Sequence, residues 1–283
     1  MDLTNINDLK SLLGKFKIKL SKKLGQHFLV DGDVLEDILS VADLKKSDNV
    51  LEIGPGVGTL TVALAGRCQK VVVVEKDKKL LKPLEISLRG FHNVEIINDD
   101  ILKFNLLFLP PFDKGGIEGG YKLVSDIPYY ITGKILKMFL TAKAKPSLMV
   151  VLIQKEVAER VTAKKGQMSI LALSVQFYGE PELVRTVSRS AFFPEPEVDS
   201  AILKIKVFDK PRLQVDERLF FRLIKIGFSA KRKKLANNLS AGLKITKPEA
   251  LALLEKAKIK IDARAQELSL EDWKDLYDEA QGL

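Results

Sequence analysis

The 283-residue sequence predicts an α/β fold, a parallel sheet covered by helices on both faces, followed by a small α-helical domain. Short apolar runs at 49–53, 71–75 and 94–97 alternate with segments of helical periodicity, which is typical of βαβ units. Beyond residue 217 the apolar residues recur only at helical spacing. We therefore expect a domain boundary near 208–212.

The first half of the sequence predicts a basic, amphipathic arm at residues 1–20 and then the start of the sheet domain, which spans 21–208. Apolar residues spaced three and four apart predict helices, and short apolar runs predict buried strands. These criteria give helices at 31–42, 59–67 and 78–88 and strands at 49–53, 71–75 and 94–97.

The same criteria extend the sheet towards residue 208. They predict strands at 121–125 and 148–153, a helix between them at 133–140, and a closing hairpin-like pair of strands at 176–187 and 198–207. The Pro- and Gly-rich segment 110–120 is predicted to be a loop. Residues 209–283 form the predicted helical domain.

The formal net charge of +9 favours a polyanionic partner, although a merely soluble basic protein has the same composition. Lysines cluster between residues 15 and 23, and a second basic run occupies 231–234. Together these clusters make nucleic acid a candidate partner.

Composition also argues against several classes of protein. A single cysteine, Cys68, cannot form an internal disulfide, and with only His27 and His92 beside it we expect no metal site. No apolar run approaches the roughly 20 residues that span a bilayer, and the N-terminus lacks a signal-peptide core. We expect a soluble cytoplasmic protein and, without an obvious coiled coil, a monomer.

Three features predict a nucleoside-binding pocket. Gly54, Gly56 and Gly58 follow a strand and open a helix, so a ligand could approach the backbone there. Glu75 ends the next strand, where a carboxylate can accept hydrogen bonds from ribose hydroxyls, and Asp100 follows the third strand, where it could accept from an adenine amine.

Each of these features has a simpler interpretation: a tight turn without ligand, an exposed strand-end Glu, and an Asp that caps a turn. A nicotinamide-dependent oxidoreductase would use a similar sheet. However, the glycine spacing here is G-x-G-x-G, whereas dinucleotide enzymes use G-x-G-x-x-G.

The segment after the fourth predicted strand decides between these readings. It runs Ser-Asp-Ile-Pro-Tyr at 125–129, similar to the motif of methyltransferases that modify amino groups of nucleic-acid bases. The N6 lone pair of adenine is delocalised into the ring and is a poor nucleophile. Acceptors at the Asp126 side chain and the Ile127 carbonyl could draw electron density onto nitrogen, while the Tyr129 ring could stack on an unstacked base.

The chain resembles the ribosomal RNA adenine dimethyltransferases of the KsgA type, with a Rossmann-like S-adenosylmethionine methyltransferase sheet. The similarity covers about residues 20–240 and rests on SKKLGQHFLVD at 21–31, EIGPGVG at 52–58, DIPYYIT at 126–132, FFPEPEVDS at 192–200 and FSAKRKKLANNL at 228–239. Erythromycin-resistance methylases share the catalytic motifs, whereas the first and last segments favour the KsgA type.

The resemblance implies a role for each site residue. His27, Leu29 and Gly54 would contact S-adenosylmethionine, Glu75 its ribose and Asp100 its adenine amine. Asp126 would lie between this cofactor and the target amine. The aromatic pair that holds the flipped adenine would be Tyr129 and Phe192.

By the same resemblance, the substrate would be two adjacent adenosines in a hairpin near the 3′ end of small-subunit rRNA, within an assembling ribosomal subunit. The products would be N6,N6-dimethyladenosine and S-adenosylhomocysteine. The basic helical domain would hold the RNA through phosphate contacts. The alternatives are a large-subunit rRNA methylase of the antibiotic-resistance type and a non-catalytic assembly factor.

Position 126 departs from the resemblance, because the family usually has Asn there and this chain has Asp. An ionised carboxylate only accepts hydrogen bonds, whereas an amide both donates and accepts. A negative charge beside the sulfonium would favour binding of the cationic cofactor over the neutral product. We expect an active enzyme with an altered rate.

Overall fold

A computed structural model describes residues 1–21, 24–106 and 120–281. The chain forms two compact units, Met1–Ala158 with Glu180–Asp209, and Glu159–Gly179 with Lys210–Leu283. Predictions for Lys22, Lys23 and nearly all of the 110–120 loop lie outside the described residues.

The described residues contain nine strands: β1 (Phe28–Leu29), β2 (Asn49–Ile53), β3 (Lys70–Glu75), β4 (Val94–Asn98), β5 (Lys122–Asp126), β6 (Leu148–Gln154), β7 (Gly179–Val187), β8 (Phe192–Phe193) and β9 (Ser200–Val207). Seven of them form one sheet in the order β4-β3-β2-β5-β6-β9-β7, and β1 pairs with β8 in a separate antiparallel ribbon. The β2–β6 segment of the sheet is parallel, whereas β9 runs antiparallel to β6.

The described residues also contain eleven α-helices: α1 (Ile6–Lys15), α2 (Gly32–Ala42), α3 (Thr59–Ala65), α4 (Lys78–Ser87), α5 (Thr132–Leu140), α6 (Lys155–Val161), α7 (Ile170–Tyr178), α8 (Glu217–Gly227), α9 (Leu235–Leu243), α10 (Lys247–Lys256) and α11 (Leu270–Ala280). A short 3-10 helix at Tyr129–Ile131 precedes α5. None of the described helices is both long and apolar enough to span a bilayer.

The sheet positions the candidate site through its topology. β2 lies between β3 and β5, so strand order reverses at β2, and the carboxyl ends of parallel strands at such a point form a crevice where ligands bind. Every residue of β3 after Lys70 is buried, as expected for a strand covered on both faces. Glu75 and Asp126 end their strands at this edge.

The basic arm is partly a folded helix. Asn5 caps α1, because its side chain accepts a hydrogen bond from the Asn7 backbone N–H. Leu9, Leu12 and Leu13 are buried on one face of α1 and belong to an apolar cluster of the first unit. The predicted amphipathic pattern therefore reflects packing, and the lysines occupy the other faces.

Two stretches differ from the sequence prediction. Residues 176–178 belong to α7 and not to the predicted strand at 176–187, which begins at Gly179. Residues 159–179, assigned from sequence to the sheet domain, belong to the helical unit. The continuous apolar character of 170–178 does not distinguish a buried helix from a strand, and tertiary packing decides it.

The helical unit has an aromatic core to which this segment contributes. Phe177 stacks on Phe220 with ring centroids 5.6 Å apart and meets Phe221 edge-on at 5.2 Å. Trp273 is fully buried and stacks on Phe228. These contacts explain why 159–179 groups with residues beyond 210.

Candidate active site

The glycine turn after β2 lies where the sequence predicts it. Gly54 and Gly56 have φ values of +66° and +62°, which other residues rarely adopt. A Cβ at Gly56 would lie 2.8 Å from the Phe28 ring, so only glycine lets β1 pack against this turn. The turn therefore has two independent reasons for glycine, its backbone conformation and close packing.

Glu75 anchors that turn from the end of β3. One carboxylate oxygen accepts a hydrogen bond from the Gly56 N–H at 3.1 Å, and the other accepts from the Asp77 N–H at 2.7 Å. Burial raises the pKa of Glu75, and these two backbone hydrogen bonds oppose the shift. Each oxygen keeps acceptor capacity that a ribose hydroxyl could use.

Asp100 lies on the rim of the same crevice. Its carboxylate is 3.0 Å from the Lys76 ammonium and accepts a hydrogen bond from the Leu102 N–H. Partial burial raises the pKa of Asp100, but the bonds from Lys76 and Leu102 outweigh it, so the net pKa lies below the ordinary value. Asp100 is therefore an ionised acceptor at neutral pH.

Asp126 ends β5, opposite Leu152 of β6. Burial raises the pKa of Asp126 to about 7. The next residue, Ile127, is buried, and its N–H donates to the Leu152 carbonyl, which fixes the backbone at the head of the motif. Near neutral pH, Asp126 is thus divided between a neutral form that can also donate and an anion that only accepts.

Tyr129 is held from two sides. Its hydroxyl lies 2.6 Å from the Ser200 hydroxyl on β9, and its ring lies nearly parallel to the His27 ring with centroids 6.3 Å apart. Burial raises the pKa of Tyr129 to about 12, so the phenol is neutral at physiological pH. Because the bond to Ser200 and the neighbouring His27 ring limit its motion, the Tyr129 ring can stack on a base at little entropic cost.

The β1–β8 ribbon supplies the remaining predicted residues. Leu29 is paired in register with Phe192, and both are buried. The His27 Nδ1 lies 2.7 Å from the Pro194 carbonyl, so it carries the proton and donates that bond. The ribbon therefore joins the segments around residues 27 and 192, which are far apart in the sequence.

The structure brings all eight predicted site residues to one open cavity of about 1170 Å³ in the first unit. They are His27, Leu29, Gly54, Glu75, Asp100, Asp126, Tyr129 and Phe192. Phe192 also belongs to an apolar core cluster of the first unit, so it has a packing role as well as a position on the cavity wall.

Sequence reasoning missed Glu52, which also lines this cavity and is only 2% exposed. Its Oε2 has no hydrogen-bond partner among the described residues. Burial, with the charges of Asp126 and Glu75 adding to it, raises the pKa of Glu52 to about 8. The available signal was a carboxylate inside the apolar strand 49–53, since unpaired Glu is rarely buried.

The cavity residues fit S-adenosylmethionine. Glu75 suits a ribose, Asp100 suits an adenine amine, and the open turn at Gly54 leaves backbone accessible to the methionine part. The unpartnered Glu52 oxygen and Asp126 add acceptors for a cationic ligand. Among the described residues, no cluster of three His, Cys, Asp or Glu side chains could hold a metal ion.

Comparison with known proteins agrees with this geometry. The family model for ribosomal RNA adenine dimethylase matches residues 17–282. Proteins named ribosomal RNA small subunit methyltransferase A are 46% identical in Dehalococcoides mccartyi strain CBDB1 (96% of this chain, 92% of that protein) and 38% in Clostridioides difficile (96% and 94%).

Two solved structures share the fold. The Plasmodium falciparum dimethyladenosine transferase superposes with a TM-score of 0.72 at 27% identity, covering 88% of this chain and 95% of that one. The 23S rRNA methyltransferase ErmE superposes with a TM-score of 0.71 at 29% identity, covering 89% and 98%. With the family model matching nearly the whole chain, this protein belongs to the ribosomal RNA adenine dimethylase family.

Proposed function

We propose that this protein transfers methyl groups from S-adenosylmethionine to N6 of two adjacent adenosines near the 3′ end of small-subunit rRNA. The observation that carries the proposal is that the Asp-Ile-Pro-Tyr segment and the glycine turn open into one cavity. An acceptor for the amine and a ring for the base therefore stand beside the cofactor residues.

The residues of the chain act by position and by hydrogen bonding. The Asp126 side chain and the Ile127 carbonyl accept hydrogen bonds from the target amine, which raises electron density on nitrogen. Tyr129 and Phe192 hold the flipped base, and Ser200 fixes the Tyr129 hydroxyl. S-adenosylmethionine, when bound, supplies an electrophilic methyl group. Orientation of the two reactants accounts for much of the acceleration.

The same cavity serves both methylations, because N6-methyladenine keeps one N–H that can still donate a hydrogen bond to the Asp126 side chain or to the Ile127 carbonyl. No protein nucleophile is required, and the released proton passes to solvent.

We propose that the enzyme acts as a cytoplasmic monomer on an assembling ribosomal subunit, with the helical unit holding RNA phosphates. Size-exclusion chromatography with light scattering tests the monomer.

Mass spectrometry tests the reaction directly. Unmethylated small and large ribosomal subunits are incubated separately with the protein and isotope-labelled S-adenosylmethionine, and adenosines are quantified. We expect labelled N6,N6-dimethyladenosine in the small-subunit rRNA alone. Label confined to the large subunit would instead support the alternative of a large-subunit rRNA methylase, and label in neither would support a non-catalytic assembly factor.

Substitutions at Tyr129 test the role of the ring. Tyr129→Ala should lower kcat/KM for RNA by about 10- to 100-fold, since stacking on one base contributes about 1–3 kcal/mol. Tyr129→Phe keeps the ring and should retain most of the activity. Equal losses in both variants, with cofactor binding unchanged by calorimetry, would contradict a stacking role.

A further inference from the structure

A second open cleft of about 720 Å³ lies in the first unit, where the end of α1 meets the start of α4. We call it the lysine groove, and its lysines are Lys17, Lys19, Lys78, Lys79 and Lys82. All five are exposed. Its apolar floor is made by Phe16 and Ile18.

The charges of the lysine groove are poorly neutralised. Among the described residues, Lys17, Lys19, Lys78 and Lys79 have no ion-pair partner, and the pair of Lys82 with Glu85 spans 4.0 Å between two exposed side chains. An exposed pair at that distance contributes little. The groove thus concentrates positive charge that a polyanion could neutralise.

The start of α4 adds to this field. Its first turn carries Lys78 and Lys79 and no acidic residue. Cations there are repelled by the positive end of the helix dipole, whereas an anion would be stabilised by both the dipole and the lysines. The Asp77 carboxylate, the N-cap of α4, accepts from the Lys79 N–H and from the Gln26 side chain, and its single charge offsets only part of the charge of the five lysines.

The groove is also rigid. The Lys17 N–H donates to the Gly14 carbonyl and the Ile18 N–H to the Leu13 carbonyl, both at 3.0 Å, which is the Schellman arrangement at a helix end. Lys17 has a φ of +52° at the position where glycine is usually preferred. Phe16 and Ile18 pack against the apolar cluster that includes Leu13. The backbone that carries Lys17 and Lys19 is therefore held in place by hydrogen bonds and apolar packing.

The groove adjoins the candidate active site along the chain. Asp77 lines the cofactor cavity, and the next residue, Lys78, lines the groove. The Lys10 ammonium of α1 lies 4.9 Å from the centre of the Phe193 ring, and Phe193 follows Phe192 of the cavity. A polyanion in the groove would therefore lie beside a residue that is adjacent in the chain to the cavity lining.

We propose that the lysine groove binds the sugar–phosphate backbone of the rRNA strand that flanks the target adenosines. The proposal rests on the proposed rRNA substrate and assigns a phosphate-binding surface to the sheet-bearing unit, in addition to the basic run 231–234 of the helical unit. The groove contributes affinity and register without reading sequence, because its groups contact phosphates.

A paired substitution tests the groove. Lys17→Gly with Lys82→Gln removes two charges while giving position 17 the residue suited to its backbone. The matched control, Lys45→Gln with Lys206→Gln, removes two exposed lysines of the same unit. They lie near the amino ends of the parallel strands β2 and β6, whereas the cavity lies at the carboxyl ends. Binding and methylation of a 3′-terminal small-subunit rRNA fragment and of unmethylated small subunits are measured from 50 to 300 mM salt in all three proteins.

The groove variant should raise KM for the RNA fragment about 5- to 20-fold near physiological salt and change kcat less than about twofold. The slope of log affinity against log salt should weaken by about 1.4 to 1.8, the value for two phosphate contacts. The control should match wild type, and calorimetric binding of S-adenosylmethionine should be equal in all three.

Groove and control variants with the same salt slope and KM would overturn the inference while leaving the enzymatic proposal intact. Loss of binding to assembled subunits with normal binding to the RNA fragment would also overturn it, and would indicate an acidic protein surface as the occupant. Wild-type protein that methylates neither substrate would instead refute the proposed function.

Discussion

At the scale of single residues, Asp126 is the position at which this chain departs from its family pattern. A carboxyl with a pKa near 7 can resemble the usual amide when protonated, because it then has both a donor and an acceptor. When ionised it offers acceptors alone and a negative charge. The consequence for cofactor binding can be measured as a function of pH.

We predict that Asp126→Asn removes most of the pH dependence of cofactor affinity. Between about pH 6 and 8 the wild-type carboxyl loses its proton, and the anion attracts the sulfonium. The wild-type Kd for S-adenosylmethionine should therefore fall over this range by a factor about 3 to 10 times larger than that of the variant, in which Glu52 still titrates. Calorimetry at the two pH values measures this. Glu52 is present in both proteins, so an equal pH dependence of Kd in wild type and variant would mean that Asp126 does not cause it.

Glu52 leads to a prediction about stability. Between its ordinary pKa of 4.5 and its folded pKa of about 8, the folded chain keeps a proton that the unfolded chain has released. Stability of the cofactor-free protein should therefore fall as pH rises through this window. In Glu52→Gln this contribution is absent, so the variant should unfold at least about 2 °C above wild type at pH 8 and show a smaller difference near pH 5.

Calorimetric melting at both pH values measures the Glu52 effect. Glu182→Gln is the matched control, because Glu182 is exposed and should show no such dependence. A variant that melts below wild type at pH 8 would mean that hydrogen bonding in the fold, such as that with Thr61, stabilises ionised Glu52 more than burial destabilises it.

At the scale of elements, the glycine turn and the β1–β8 ribbon depend on one another. The ribbon brings Phe28 against Gly56, and Gly56 donates to Glu75. A side chain at position 56 would therefore displace the ribbon and the carboxylate together. Neither element alone reveals this dependence.

Gly56→Ala should destabilise the protein by about 2–4 kcal/mol, since it combines an unfavourable positive φ with overpacking against Phe28. It should also weaken cofactor binding at least about tenfold. Gly90→Ala separates the two causes, because Gly90 has a φ of +94° but nothing within 4 Å of the added Cβ. Chemical denaturation should show that Gly90→Ala lowers the free energy of unfolding by about 1–2 kcal/mol, with normal cofactor affinity. Equal losses in both variants would exclude the clash.

At the scale of the whole molecule, positive charge is distributed over both units. In the helical unit the exposed run 231–234 lies between α8 and α9. The buried Asn238 amide supports the chain before this run by donating to the Gly227 and Ala230 carbonyls. The basic run is thus attached to an ordered turn that could hold phosphates.

We predict that Lys231→Gln with Lys233→Gln weakens RNA binding about equally for all sequences and lowers the salt slope by about 0.7–0.9 per lost contact. Lys256→Gln with Lys260→Gln removes the same charge from exposed positions elsewhere in the unit and should have little effect. Filter binding over a salt series measures both. A sequence-dependent loss would indicate base contacts instead of phosphate contacts.

The amino-acid sequence by itself determined the β2–β6 part of the sheet, the glycine turn and the Asp-Ile-Pro-Tyr segment. These features follow from periodicity, local backbone preference and residues adjacent in the chain. Together with the resemblance to the KsgA type, it predicted eight of the residues that line the cavity, and their roles remain predictions.

Only the tertiary structure decided the rest. It placed residues 159–179 among the C-terminal helices, paired Leu29 with Phe192, made β9 antiparallel to β6, and enclosed Glu52 with Asp126 and Glu75. It also joined α1 to α4 to form the lysine groove. These outcomes depend on which distant surfaces bury each other, and that is a property of packing that no local pattern contains.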